Sequence, residues 1–341
     1  MALQTTWFIL ITLLWAGFFA LEGFDFGVGM LTPLLGGDDV ERRVLRRTIG
    51  PFWDGNEVWL VTAGAATFAA FADWYATMFS AYYLPLFIVV LALILRAVGF
   101  EYRDHIEATR WRHLWDGIVA ACCALVPLVI GVAFGGLLNG LPIDAQKEFT
   151  GSFTDLIQPY ALCTGVLFVA LCLMQGLLFL RIKTEGELHA RVSRASGPIA
   201  WIVVALLTIH IVWTRFAVGS GIIPNLGAWL ALSFAVAAAC LAYHEGLRGI
   251  AFACSAATIV ATILGFFGEL YPNVMVSTTA AAYDITIADS SGSYTLTLMT
   301  IITIVMLPVA MIYTAWNYWV FRQRVTSDDV SPPAAAPNPM A

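Results

Sequence analysis

The residues best placed to do chemistry lie in one short stretch, Gly50-Pro51-Phe52-Trp53-Asp54-Gly55-Asn56-Glu57-Val58-Trp59-Leu60. Two carboxylates, Asp54 and Glu57, stand three residues apart with an amide, Asn56, between them. On a helix that spacing puts both acids on neighbouring surface. From Val58 to Ala72 the chain carries no charge, so the stretch reads as the entrance to a membrane helix. Pro51 suits that start, because its missing N–H would be an orphan there anyway. Acids at a helix start are favoured by the macrodipole, which is the structural explanation. Acids at or below the lipid headgroups are costly and mark ion or proton paths, which is the functional one.

A second group of candidates precedes this one, in Glu22-Gly23-Phe24-Asp25-Phe26-Gly27-Val28-Gly29-Met30. Counting from Trp7, Asp25 lies about 27 Å along a helix rising 1.5 Å per residue. An antiparallel neighbour starting near Trp53 brings Asp54 to similar depth. The glycines at 23, 27 and 29 leave room for the two helices to approach. Two acids close together would raise the pKa of one of them, which suits proton relay. The alternative for Asp25 is an ion pair with the Arg42–Arg47 cluster. A third candidate, Arg96, precedes Glu101 at the end of a later apolar run. It either neutralises Asp54 or Asp25 or snorkels to headgroups.

The elements that hold these residues follow from composition. The chain of 341 residues is 60% hydrophobic and 12% charged, with mean hydropathy +0.81. A soluble domain carries about twice that charged fraction, so this is an all-α integral membrane protein. No basic block points to nucleic acid. The start lacks the positive region of a cleaved signal peptide. Nine apolar runs reach or approach the length of a membrane span. They are Trp7–Leu35, Trp53–Ala72, Ala76–Leu95, Trp115–Leu138, Pro159–Leu180, Pro198–Val218, Asn225–Tyr243, Gly249–Gly268 and Tyr294–Phe321. Alternate loops collect the cations: only Lys147 and Arg215 of the 17 Lys and Arg residues fall on the other side. The positive-inside rule then predicts an outer N-terminus and a cytoplasmic C-terminus. Residues 1–324 are expected to form one transmembrane domain. Residues 325–341, with Pro332, Pro333, Pro337 and Pro339, read as a disordered cytoplasmic tail. A short echo joins Arg43-Val44-Leu45-Arg46 before Gly50-Pro51 to Arg191-Val192-Ser193-Arg194 before Gly197-Pro198. It fits two four-helix halves plus a ninth helix.

Redox ligands are sparse. Among the five histidines only His210 lies deep in a span, where hydrogen bonding to a neighbouring helix and haem ligation are the two readings. All six cysteines sit in apolar runs without a C-x-x-C pair, so free buried thiols are expected and no metal site. Trp53, Trp59, Trp74, Tyr75, Tyr82 and Tyr83 cluster early in the chain. Interfacial belts account for most of them, and a long-tailed quinone or lipid between helices is the alternative.

Several of these motifs together resemble subunit II of the cytochrome bd-type quinol oxidases. The likeness covers Gly23–Leu31, Trp53–Leu60, Val98–Arg103, Glu107–Arg112, Val129–Gly135, Gly186–His189 and Tyr313–Trp316, and so nearly the whole chain. Many relatives carry aspartate where Glu101 stands and glutamine where Glu57 stands. The outer loop after the sixth run is short here. The resemblance implies a terminal oxidase of the bacterial cytoplasmic membrane that oxidises quinol and reduces dioxygen to water. It implies two b-type haems and haem d on a homologous subunit I, the pseudo-symmetric partner, and leaves room for a small single-helix subunit. No catalytic residue is then expected in this chain. The residues it ties to a proton path or to support of the haem site are Asp54, Asp25, Trp53, Asn56, Glu57, Arg96 and Glu101. A structural quinone is expected near Trp53, Asp54 and Trp59. Two other classes compete: a secondary transporter using the intramembrane acids, and a scaffold that only stabilises a haem-bearing partner.

Overall fold

The computed structural model describes residues 2–217 and 225–330. Twelve α-helices follow in order: α1 (Ala2–Leu35), α2 (Asp39–Ile49), α3 (Trp53–Ala70), α4 (Ala72–Ala81), α5 (Tyr83–Tyr102), α6 (Thr109–Asn139), α7 (Phe153–Leu156), α8 (Pro159–Lys183), α9 (Gly186–Ala217), α10 (Leu226–Leu241), α11 (Arg248–Leu270) and α12 (Ser293–Val320). A two-stranded antiparallel pair, β1 (Asn273–Met275) and β2 (Ile285–Thr286), sits in the loop before α12.

Among the described residues, α1, α5, α6, α8, α9, α11 and α12 are long and apolar enough to cross a membrane. The two other expected spans are shorter or more polar. Helix α3 has 18 residues and opens on Asp54, Asn56 and Glu57, and α10 has 16. The run expected at Ala76–Leu95 is not one helix. It divides at Tyr82, whose φ of −95° and ψ of 22° leave the helical region, and the spanning part begins at Tyr83. Pro85 explains the restart, because proline is tolerated in the first turn of a helix but not inside one. The run expected from Pro198 instead begins at Gly186 and passes through the proline. Its end at Val218 lies outside the described residues, as do Met1 and residues 331–341. Residues 325–330, read in the sequence as the start of the tail, form a turn in which Thr326 N and Oγ1 both donate to Asp329 Oδ2.

Helix α1 is the axis of the bundle. Gly27 faces Gly176 on α8 so closely that a Cβ would lie 2.8 Å from the Gly176 Cα. Helices α6 and α8 meet the same way, where a Cβ on Gly131 would lie 2.8 Å from the Gly165 Cα. Small residues on both sides let backbones touch, and this packing drives helix association in lipid. The glycine face of α1 was expected to admit the helix that begins at Trp53; it admits α8 and α6 instead. The reason is mutual smallness, since α3 offers Trp59 to α1, with its ring 3.0 Å from where a Gly17 Cβ would stand.

Helix α2 lies under the bundle and is amphipathic. It buries Val44, Leu45, Thr48 and Ile49. Asp38 caps it by accepting from Glu41 N at 2.8 Å. Asp39 and Glu41 at its start and Arg46 and Arg47 at its end complement the macrodipole. Helix α12 stands apart, with Leu296 its one buried residue. It is pinned at its ends: Trp7 Nε1 donates to Leu296 O at 3.1 Å, and Asn317 Nδ2 donates to Pro51 O at 2.9 Å.

Candidate functional site

Glu22 and Asp25 are one helical turn apart on α1, and both are completely buried. Asn56 reaches them from α3. Its Nδ2 donates to Asp25 Oδ2 at 2.7 Å and to Leu21 O at 2.9 Å, and its Oδ1 accepts from Tyr318 on α12 at 3.2 Å. One amide thus ties three helices to one carboxylate. Arg96 enters from α5 with no exposure at all. It forms an ion pair with Glu22 and lies 3.9 Å from the Glu57 carboxylate. Its guanidinium is also walled by rings, 4.7 Å from Phe26, 5.4 Å from Phe100 and 5.7 Å from Trp53. Gln175 closes the far side from α8, donating to Ala20 O at 2.7 Å.

This cluster is rich in unmet hydrogen-bonding capacity. Both Glu22 oxygens, Asp25 Oδ1, Gln175 Oε1 and all three Arg96 guanidinium nitrogens are buried without an aligned hydrogen bond to the described residues. Buried polar atoms in that state are served by ordered water. Carboxylates, an arginine and water in one low-dielectric pocket can hold and exchange protons.

The candidates divide into three places. Asp25, Asn56, Arg96 and Glu57 come together with Glu22. Arg96 takes Glu22 and Glu57 as partners, rather than Asp54, Asp25 or the headgroups. Asp54 lies on the opposite face of α3, exposed, with no hydrogen bond or ion pair among the described residues. It is not a capping residue: Phe52 holds the N-cap position of α3 and no side chain caps it. The Arg42–Arg47 cluster does not reach Asp25. Arg42 pairs with Asp116, Arg43 with Asp39, and Arg46 with Asp104. Arg191 hydrogen-bonds Glu41 and holds its carboxyl below the usual range. At Asp39 burial pushes the pKa up, but the Arg103 hydrogen bond and charge, with Arg112 and Arg43, prevail and lower it. Trp53 and Glu101 line a separate cleft on the arginine-rich side. Trp59 lines an apolar cleft of about 550 Å³ between α1, α3, α11 and α12, which runs from Trp7 to Tyr318.

Glu22, Gln175 and Tyr318 belong to the cluster and were not among the sequence candidates. Glu22 was legible, since it is an acid three residues before Asp25 in the same apolar run. Gln175 and Tyr318 carried no such signal. His210 donates to or accepts from Thr164 Oγ1 at 3.1 Å and stacks on Tyr160 at 5.3 Å. Among the described residues no three His, Cys, Asp or Glu side chains are grouped to hold a metal ion.

Residues 3–321 match the family model described as cytochrome bd terminal oxidase subunit II. The chain is 40% identical to the cytochrome bd ubiquinol oxidase subunit 2 of Bacillus subtilis, over 95% of this chain and 97% of that one. It is 35% identical to the cytochrome bd-I ubiquinol oxidase subunit 2 of Escherichia coli strain K12, over 96% of each. Its fold is similar to a chain of the bd oxidase from Geobacillus thermodenitrificans, with TM-score 0.73 and 15% identity over 94% of this chain and 99% of that one.

Proposed function

This chain belongs to the cytochrome bd terminal oxidase subunit II family, and we propose that within such an oxidase it docks on the haem-bearing subunit I and delivers protons to it through Asp54. It is a subunit of a quinol:oxygen oxidoreductase complex and a multi-pass protein of the bacterial inner membrane. The finer reading is nine spans in two four-helix halves plus a ninth, with the N-terminus outside. It is supported by the helical order of α1 to α12 and by the confinement of the cations to one side.

One observation carries the proposal. On α3 the exposed residues Asp54, Val58, Val61, Ala65 and Phe68 form a stripe at helical spacing. An acid at the headgroup border that ends an apolar stripe favours a protein partner over lipid on that face. Behind the same turn, Glu57, Arg96, Glu22 and Asp25 form a buried charge reservoir. Arg96 pairs with Glu22 in the interior, Asn56 fixes the Asp25 carboxylate, and Asp54 presents a titratable oxygen to the partner. Oxygen reduction consumes protons, and this arrangement supplies them from the arginine-rich side. Trp53 and Glu101 flank the entry.

The haems, two of type b and one of type d, are assigned to subunit I. His210, the histidine deep in a span, is engaged by Thr164 and Tyr160. The apolar cleft beside Trp59 fits the isoprenoid tail of a structural quinone, with Tyr318 its polar end. The acids lie toward one face rather than at the midplane, which disfavours a transporter. Docking is tested with a photo-crosslinking residue at Val61 in the assembled oxidase. Capture of subunit I there and not at Leu230 on α10 is expected; capture only at Leu230 would refute the assignment of the face.

A further inference from the structure

On the arginine-rich side a cleft of about 570 Å³ opens between the end of α2, the start of α3, the end of α5 and the 326–330 turn. Its base carries Arg43, Arg46 and Arg47, its inner wall is Trp53 with Phe100, and Glu101 and Asp329 stand at its rim. The Trp53 and Phe100 rings touch at 5.3 Å. We propose that this cleft binds the headgroup of a zwitterionic membrane phospholipid, with the phosphate on the arginines and the ammonium on the acids.

Donor capacity at the base exceeds what the protein uses. Arg47 is exposed and forms no hydrogen bond or ion pair among the described residues. Asp39 on α2 is shared among three arginines, Arg43 at 3.1 Å, Arg103 at 2.8 Å and Arg112 at 2.9 Å. Asp104 is shared as well: it accepts from Arg46 at 2.8 Å and from Arg103 at 2.7 Å, and Arg43 stands 3.8 Å away. It therefore cannot satisfy all of them. A phosphodiester supplies acceptor oxygens that guanidinium groups bind well. Glu101 is exposed and has no ion partner, which leaves it for an ammonium.

Depth favours a lipid over a soluble anion. Trp53 begins α3, and the uncharged stretch begins at Val58, about one turn deeper. Tryptophan at that level marks the headgroup zone. Deeper along α5, Ile94 and Leu91 are exposed, so acyl chains leaving the cleft run along apolar surface. This inference uses the membrane setting alone and holds whether or not Asp54 carries protons.

The test uses the purified two-subunit oxidase in detergent, with phosphatidylethanolamine added and the bound lipid counted by native mass spectrometry. Arg47 is exposed and makes no hydrogen bond among the described residues, its one charge neighbour there being Asp329 on the 326–330 turn, so Arg47→Ala leaves the helix packing intact. Loss of one arginine near a headgroup lowers occupancy about fivefold, and Arg47→Lys retains most of it. Phosphatidylglycerol, which lacks the ammonium, binds more weakly than phosphatidylethanolamine, and Glu101→Gln narrows that gap. Equal occupancy in the native and Arg47→Ala complexes overturns the proposal. So does displacement of the lipid by excess inorganic phosphate, which would reveal a free-anion site. A photo-crosslinker at the exposed Gly50, which lines the cleft, that captures subunit I instead of lipid would show the cleft to be filled by protein.

Discussion

Removing Arg96 should be far more damaging than removing it together with Glu22. Arg96 and Glu22 are both fully buried, and Arg96 is the one cation in contact with Glu22 among the described residues. Arg96→Leu leaves that carboxylate without a counter-charge in the bundle interior, and breaking a buried pair from one side costs about 3–5 kcal/mol. Glu57, at 3.9 Å, also loses an attraction of about 4 kcal/mol at an effective dielectric near 20, although its partial exposure lets water recover much of it. The double change Arg96→Leu with Glu22→Leu removes both charges and fills the space with carbon. Such replacements are often near neutral, so the double variant should recover about 2 kcal/mol or more of the single loss. Asp25 keeps its Asn56 donor throughout. Thermal unfolding of the purified oxidase, followed by haem release, gives the comparison. A double variant no more stable than Arg96→Leu would refute the idea that Glu22 is the charge Arg96 compensates.

Three further outcomes are expected. Gly27→Val should prevent assembly, because its side chain would occupy the space of the Gly176 backbone; a normal yield of folded complex would contradict the close α1–α8 contact. Between α6 and α7, Lys147 Nζ donates to Asp73 and Asp289 at 2.6 Å each. At Lys147 burial lowers the pKa, but Asp289 and Asp73 outweigh it and the net shift is upward. At Asp289 burial raises the pKa, but Lys147 and the Thr286 hydrogen bonds lower it overall. The Lys147 contribution is complete below the ordinary lysine range and is lost as pH rises through the raised value. The Asp289 contribution is present above the ordinary aspartate range and is lost as pH falls through the lowered value. With all three groups partly exposed the clamp contributes about 1 kcal/mol or less. Lys147→Met should therefore lower stability slightly near neutral pH and bring no loss at strongly alkaline pH, as read by thermal unfolding across pH. Finally, His210→Ala should leave the haem absorbance of the assembled oxidase unchanged, and loss of a Soret component would place a haem ligand in this chain.

Composition and apolar run length located most helices because lipid requires long apolar segments whose backbones bond internally. They did not reveal the break at Tyr82, since the chain runs without a charge from Trp74 to Leu95 on both sides of it. Asp25, Asn56 and Arg96 could be singled out because polar groups are rare in such runs. Which carboxylate Arg96 meets could not, because that depends on the rotation of α1, α3 and α5 about their axes. Those rotations follow from contacts such as Gly27 with Gly176, and a glycine on one helix does not announce its counterpart 149 positions later. Asp54 and Asn56 show the same limit at close range. They are two residues apart, yet one faces outward and the other binds Asp25.

The central claim is that Asp54 carries protons to the partner, and the direct measurement is quinol-driven oxygen consumption by an Asp54→Asn oxidase whose haem content has been shown to be complete. Asparagine keeps the size of the side chain but cannot titrate, and Asp54 makes no hydrogen bond among the described residues that the change would break. Loss of a positioned proton-transfer group slows a reaction by about a hundredfold or more. Where other steps share control of turnover, the fall should still be about tenfold. Turnover equal to that of the native enzyme at full haem content would contradict the account and leave Asp54 as an acid that merely favours the start of α3.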